Sequence, residues 1–430
     1  MTHLIPNPNP NPNPEETSTM SSNKITRRTA LSLTMAAASG ALVGNVGAQT
    51  PRTVKVGTVV PLSGPFAAIG LNIRAGAEMA IEDINASGGI KSLGGAKMEL
   101  VAADAEDSVE KAKNAAQRLL AQEPTLIGGF GDALSGMTLV VTEMTERAEL
   151  PWITQTFADA LTERGFKYIF EAVPVASMQG QLALPTVMDL AKSTGSVPKT
   201  VAVVADTNQA IQGMVKTWRE GGFEKAGLTV LSEKSYTPPI SDATELIANL
   251  RRNKPDILFL MPAALPDLKL MLDKLTELGL GRDVLPTFAV AGPSATPELL
   301  NVAGAKSLEN FFSINSNWPG KRHQELVARF KARTGRPWMT SQGIDGYGQI
   351  MIYREALEKA GVADRRKVAE VIRKMDSTTG AADYFNGPLK WDERGRRVGA
   401  GLVIAQWQGG QPVPVYPASM AIAKPVWPGK

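Results

Sequence analysis

From residue 54 onward, short and nearly continuous apolar runs alternate with longer segments whose apolar residues recur every three or four positions. Runs without a polar face suit strands covered on both sides, and the longer segments suit helices packed against them, so the pattern predicts parallel βα units. Residues 54–60 read as a first strand, followed by a turn-rich 61–65 and a helix over 72–85. A second strand is predicted over 98–103. Its helix, over 108–121, brings Val109, Ala112, Ala116 and Leu119 to one face, with Asp107 and Glu110 placed as a capping box. A third strand at 126–129 leads into a helix over 134–149, and 150–153 is a further strand. After a break near Pro174 the series resumes with strands at 201–204 and 257–261, each backed by a helix.

The last hundred residues depart from this rhythm. Helices over 324–333, 345–360 and 365–375 precede a hairpin-like 389–395 and a strand over 401–407. Open parallel sheets bind ligands at the carboxyl ends of their strands, so two such units facing each other would share a cleft there.

The leader changes the picture more than the composition does. Lys24, Arg27 and Arg28 precede a weakly apolar stretch over 31–46 that ends in Val46, Gly47 and Ala48. This is the three-part layout of a secretory signal, with cleavage expected after Ala48. Thr26-Arg27-Arg28-Thr29-Ala30-Leu31 is similar to a bacterial twin-arginine signal, with Ala30 and Ser32 as departures from that pattern. A membrane anchor fits less well, because Ser32, Thr34, Ser39 and Asn45 interrupt a stretch that would need about 20 apolar residues. The Asn-Pro repeat over 6–14 cannot pack a core and is expected to be disordered. Met20 is an alternative start.

The formal charge is +4, and removing residues 1–48 takes away a net +1, leaving +3. Basic and acidic residues are interleaved along the helices without a basic stripe, so no nucleic acid is expected as a partner. There is no cysteine, which excludes disulfides and thiolate metal sites. The histidines are His3, in the lead, and His323, in a surface-type Lys321-Arg322-His323-Gln324 run, so His-based triads and metal centres find no residues. No Gly-x-Ser-x-Gly elbow or phosphate loop is present, and Gly88-Gly89 and Gly94-Gly95 read as turns. An exported α/β hydrolase therefore lacks its catalytic groups. No enzyme activity, cofactor or metal is expected.

Four segments carry a resemblance. VGTVVPLSG (56–64), AEMAIEDINASGG (77–89), LTERGFKYIF (161–170) and GPLKWDERG (387–395) resemble, in this order, the substrate-binding proteins of ABC importers for branched-chain amino acids. The resemblance implies an α/β type I periplasmic binding fold, with two Rossmann-like lobes, a central cleft and three crossovers. It places lobe 1 at 51–172 plus 317–394 and lobe 2 at 173–316 plus 395–430. It also implies a periplasmic monomer that captures a small organic ligand and delivers it to the permease subunits of an ABC transporter, without stable membrane insertion after signal cleavage. A sensory receptor subunit that presents its ligand to another membrane partner is the alternative the sequence leaves open.

Residues for the cleft follow from the loops at the strand ends. Ser63 and Phe66 lie in the first, as ligand contacts or as plain strand-to-helix turn. Leu134 and Ser135 open a helix whose positive end and hydroxyl suit a carboxylate, unless Ser135 serves only as the cap. Thr154, Thr156 and Phe157 form the third loop; Thr156 is the first choice for a carboxylate, and either neighbour can take that role. Lobe 2 offers Asp206, Asn208, Met261, Ala263 and Gly292. Here the sequence departs from the amino-acid binders, with small apolar residues near Ala210-Ile211 and Ala263-Ala264 and no acid near Gly292-Pro293-Ser294. A buried ammonium without a countercharge is costly. A branched-chain or other amino acid therefore needs Asp206 or Asp132 turned inward, unless Asp206 caps the following helix, whereas a small or aromatic carboxylate or an amide needs no such acid. Trp318 lies near the expected second crossover and is a candidate for the cleft; Trp391 reads as structural.

Overall fold

A computed structural model describes residues 53–131, 134–281, 283–290 and 292–429. The Asn-Pro repeat, the leader and its arginines, and Asp132, Ala133 and Ala291 of the predicted cleft loops lie outside the described residues.

The strand series forms two main sheets. In the first, β1 (Thr53–Val60), β2 (Lys97–Asp104), β3 (Gly128–Phe130), β4 (Trp152–Thr154) and β5 (Ile169–Glu171) are all parallel, in the order β2-β1-β3-β4-β5. The second holds β6 (Thr200–Asp206), β7 (Thr229–Tyr236), β8 (Ile257–Met261), β9 (Thr287–Val290) and β10 (Phe312–Asn315), parallel throughout. A two-stranded ribbon of β11 (Asp376–Ser377) and β12 (Leu389–Lys390) follows. The antiparallel β13 (Val403–Gln408) and β14 (Gln411–Tyr416) then complete the second sheet, giving the order β14-β13-β10-β9-β8-β6-β7.

Strand alternation explains why each sheet is covered on both faces. Val201, Val203 and Ala205 of β6 join one core with Met214, Trp218 and Phe259, while Ala202 and Val204 join the opposite one with Leu258, Leu268 and Met271. In the first sheet Val54 and Val56 pack with Ile73, Ala77, Ile350 and Tyr353, and Val59 faces Ala112, Ala116 and Val141. Phe259 is wholly buried between Trp218 and Phe288, and truncating such a ring costs about 3–5 kcal/mol.

The helices Ala67–Ala86 and Ser341–Ala360 approach almost backbone to backbone. A Cβ on Gly76 would sit 1.9 Å from the Gly343 carbonyl oxygen, and one on Gly346 would sit 2.2 Å from that of Ile73. Only glycine permits this spacing, and it draws the Ser341–Ala360 helix, distant in sequence, onto the first sheet. The chain therefore passes between the sheets three times, after β5, after β10 and before β13. Arg397 braces two of these passages. Its guanidinium is fully buried and donates to the carbonyl oxygens of Ala172, Asn386, Gly387 and Pro388, with no ion pair within 4 Å among the described residues.

Several local expectations are corrected. The first helix begins at Ala67 and the late helix at Ser341, each a turn or more before the predicted start. The Val109–Gln122 helix is capped by Ser108, whose hydroxyl accepts the Lys111 N–H at 3.3 Å, while Asp107 pairs with the Lys111 ammonium. The edge strand β7 escapes an apolar-run reading because most of its side chains are exposed. Residues 389–395 form the first arm and turn of a hairpin that closes at Val398: the N–H groups of Asp392 and Val398 donate to the carbonyls of Arg396 and Lys390, Trp391 bridges to Arg397, and β12 also pairs with β11. His323, expected at the surface, is 4% exposed; its Nδ1 accepts the Gly320 N–H, so the protonated Nε2 donates to the Asp383 carbonyl. Trp391 is structural, its indole N–H donating to the Glu171 carbonyl.

Candidate functional site

The carboxyl ends of β1, β3 and β4 in one sheet and of β8 and β9 in the other open onto one cavity of about 580 Å³. Its walls come from both sheets and from the second passage between them. Phe66, Leu134 and Phe157 stand on the first side; Ala263, Gly292 and Pro293 stand on the second; Trp318 closes the connection. Phe66 is followed by Ile69 and Asn72 on the same face of the Ala67–Ala86 helix, so three wall positions follow from one helical stripe.

Of the residues singled out from the sequence, Phe66, Leu134, Phe157, Ala263 and Gly292 are on this wall. The others stand off it, each for a local reason. Ser63 is exposed, and its hydroxyl and N–H serve Asp104, which also accepts the Leu62 N–H at 2.7 Å and so ties the loop after β1 to β2. Ser135 is the first helical residue and Leu134 the extended cap position, so the hydroxyl is displaced by one residue from capping geometry. The Thr154 and Thr156 hydroxyls are bonded to each other at 3.1 Å. Their neighbours Gln155 and Phe157 take the wall, as strand-end alternation requires.

Asp206 is turned away from the cavity. Its carboxylate accepts the N–H of Asn208 at 2.9 Å and of Ala263 at 2.5 Å, tying the exits of β6 and β8 together. Burial raises its pKa, and these two N–H donors oppose the rise. Asn208 caps the Gln209–Thr217 helix by accepting the Ala210 N–H at 3.0 Å. Met261 is wholly buried in the second sheet's core.

Sequence reasoning missed the polar part of the wall. Asn72, Gln155 and Thr340 are 5%, 6% and 2% exposed, and the Asn72 Oδ1, both amide atoms of Gln155 and the Thr340 hydroxyl have no hydrogen-bond partner. Buried polar atoms are nearly always satisfied, so orphans gathered on one cavity wall mark where a ligand belongs. Thr340 occupies the N-cap of the Ser341–Ala360 helix without capping it, which leaves its hydroxyl free. One turn on, Asp345 lines the same cavity and accepts the Asn317 Nδ2–H at 2.7 Å. Burial pushes the Asp345 pKa up to about 7, against the Asn317 hydrogen bond and the charge of Arg397. Glu298, also on the wall, faces Arg336 at 3.6 Å. The Thr340-Ser341 pair was the signal available in the sequence, since it is a helix-capping pair that precedes an apolar helix.

A second hollow of about 660 Å³ lies beside Pro185, Met188 and Lys225. Its walls are helical residues on the outside of the second sheet, remote from the strand ends. The cavity between the sheets is the candidate site.

The sequence profile of the periplasmic binding proteins matches residues 53–411. The chain belongs to this family. Its members are solute-binding proteins, not enzymes, which work with ABC permeases and are exported to the periplasm. A Leu/Ile/Val-binding protein homolog of Brucella melitensis is 27% identical over 385 residues, covering 86% of this chain and 93% of that protein. The fold is shared with a branched-chain amino acid transporter substrate-binding protein of Streptococcus pneumoniae solved with isoleucine (TM-score 0.67, 19% identity, 84% of this chain and 99% of that one). It is shared also with a solute-binding protein of Rhodopseudomonas palustris solved with 3,4-dihydroxybenzoic acid (TM-score 0.66, 21% identity, 84% and 95%). These are type I periplasmic binding folds, and the two parallel sheets place this chain among them. Among the described residues no helix is long and apolar enough to cross a membrane.

Proposed function

We propose that this chain is the receptor of an ABC importer that takes one small organic solute into the cavity between its sheets and hands it to the permease subunits. The observation that carries the reading is the set of orphaned polar groups on Asn72, Gln155 and Thr340, buried on a wall that both sheets build. A surface that paid to bury polar atoms without partners is complete only with a solute in place. Phe66, Leu134, Phe157, Ala263 and Gly292 are the apolar contacts of that solute. Closure is a hinge motion of the two lobes, 51–172 with 317–394 against 173–316 with 395–430, about the three passages.

A thermal-shift screen of the exported protein against amino acids, aromatic acids, short carboxylates and amides tests this. A ligand bound only by the folded state adds about 2.7 kcal/mol at a hundredfold excess over its dissociation constant. Silence across the whole panel at millimolar concentration defeats the receptor reading. The protein acts as a monomer, which light scattering checks, and it leaves the cytoplasm by the twin-arginine route. Replacing Arg27 and Arg28 by lysine then blocks export; normal export removes the route and leaves the receptor.

A further inference from the structure

We infer that the solute carries an uncharged primary carboxamide on an apolar body. The inference rests on the receptor reading and deepens it, and it follows from counting donors and acceptors.

The unmet atoms on the cavity wall are the Asn72 Oδ1, the Gln155 Oε1, the Gln155 Nε2 and the Thr340 hydroxyl. They offer two carbonyl acceptors and three protons, two on Nε2 and one on the hydroxyl, spread over two donor atoms. A primary carboxamide meets both acceptors with its two N–H donors and takes one proton from each donor atom on the two lone pairs of its carbonyl oxygen. Gln155 alone can pair with it reciprocally, its Nε2 donating to the carbonyl while its Oε1 accepts one N–H. Asn72 takes the second N–H and Thr340 donates to the second lone pair. Thr340 also stands at the positive end of the twenty-residue Ser341–Ala360 helix, which favours a carbonyl oxygen there.

A carboxylate alone and an ammonium alone fail the same count. A carboxylate has no donor, so it leaves the Asn72 and Gln155 oxygens unmet. It also enters a wall whose charged side chains are Glu298 and Asp345, with no Lys or Arg among the lining residues described. An ammonium has no acceptor and strands the Gln155 Nε2 and the hydroxyl proton. Two stranded buried groups are enough to separate the heads by about tenfold or more. The aromatic faces of Phe66, Phe157 and Trp318 suit the apolar body.

Two matched series test this on the exported protein by thermal shift and calorimetry. One is phenylacetamide, phenylacetate and phenethylamine; the other is isovaleramide, isovalerate and 3-methylbutylamine. The amide of at least one series is expected to bind, and to bind about tenfold or more tighter than its acid and amine. Gln155→Glu, which removes the amide donor at unchanged shape, is expected to abolish that preference while far-UV dichroism stays the same. An acid or amine that equals its amide overturns the inference, as does failure of both amides. Binding of an amino acid or benzoate in the broader screen would then keep the receptor reading standing alone. Silence in both experiments removes both.

Discussion

Arg397 donates its Nη1–H to the carbonyl oxygen of Ala172 at 2.9 Å, joining the segment that leaves the first sheet after β5 to the one that leaves it before β13. Burial lowers the Arg397 pKa to about 10, against the charge of Asp345, yet the group stays protonated near neutrality. Replacing it by methionine leaves four carbonyl groups without their donor. Arg397→Met is expected to lose about 3–5 kcal/mol in urea unfolding. Unchanged stability would mean that water replaces the guanidinium at no cost.

The same substitution should act with opposite signs at two helical glycines. Gly76→Ala forces a methyl group against the Gly343 backbone at 1.9 Å, a contact neither helix can yield by rotating a side chain. A loss of about 3 kcal/mol or more is expected. Gly213, in the Gln209–Thr217 helix, would place its methyl in open space, so Gly213→Ala is expected to gain about 0.5–1 kcal/mol. Paired melting curves read both.

Asp345 gives stability a pH slope of defined sign. Its ordinary pKa is 3.8 and burial raises it to about 7, so between these values the folded state holds a proton that the unfolded state has released. Stability therefore falls as pH rises through that window and levels off above it. Glu171 acts in the same direction, since it is wholly buried with both carboxylate oxygens unpartnered and burial raises its pKa well above the ordinary 4.5. Asp345→Asn is expected to flatten the slope and to exceed the parent at pH 8 by more than about 1 kcal/mol. The slope that remains should vanish with Glu171→Gln. Urea titrations at pH 5 and pH 8 decide this.

Thr340 and Ser135 make a discriminating pair. Thr340 is orphaned on the cavity wall, whereas Ser135 is the first residue of its helix and off that wall. Thr340→Val is expected to weaken the bound solute by about fivefold or more, and Ser135→Ala by less than about twofold. Calorimetry with the best ligand of the screen compares them. A larger effect at Ser135 would return the carboxylate-receiving role to the loop after β3.

The fold was largely legible because apolar runs report strands that are buried on both faces, and β1, β6 and β8 are such strands. β7 was not legible, since its polar Ser232-Glu233-Lys234, none of them buried, interrupts any apolar run. Nor was the start of the Ser341–Ala360 helix. Gly343, Gly346 and Gly348 read as helix breakers by propensity, yet they leave room for the Met339 and Phe330 side chains, the Ile73 backbone and the Phe385 ring respectively. That misplaced start put Thr340 in a loop and hid the polar end of the site. Phe66, Phe157 and Ala263 were found because strand-end loops in two facing sheets must converge. Asn72, Gln155 and Asp345 were missed because orphaning is a property of three-dimensional surroundings, and no local pattern announces it.

The Asp206 carboxylate holds the Ala263 amide through a bond in which no solute takes part, so the second wall of the cavity is expected to be set before a ligand arrives. A preformed wall spares the ligand the entropy of ordering a loop, and what remains to be ordered is the approach of the opposite lobe. Capture should then be a two-step event, a fast landing on the rigid side followed by a slower enclosure. In stopped-flow fluorescence the observed rate would level off at high ligand concentration, and the plateau would report the lobe motion itself.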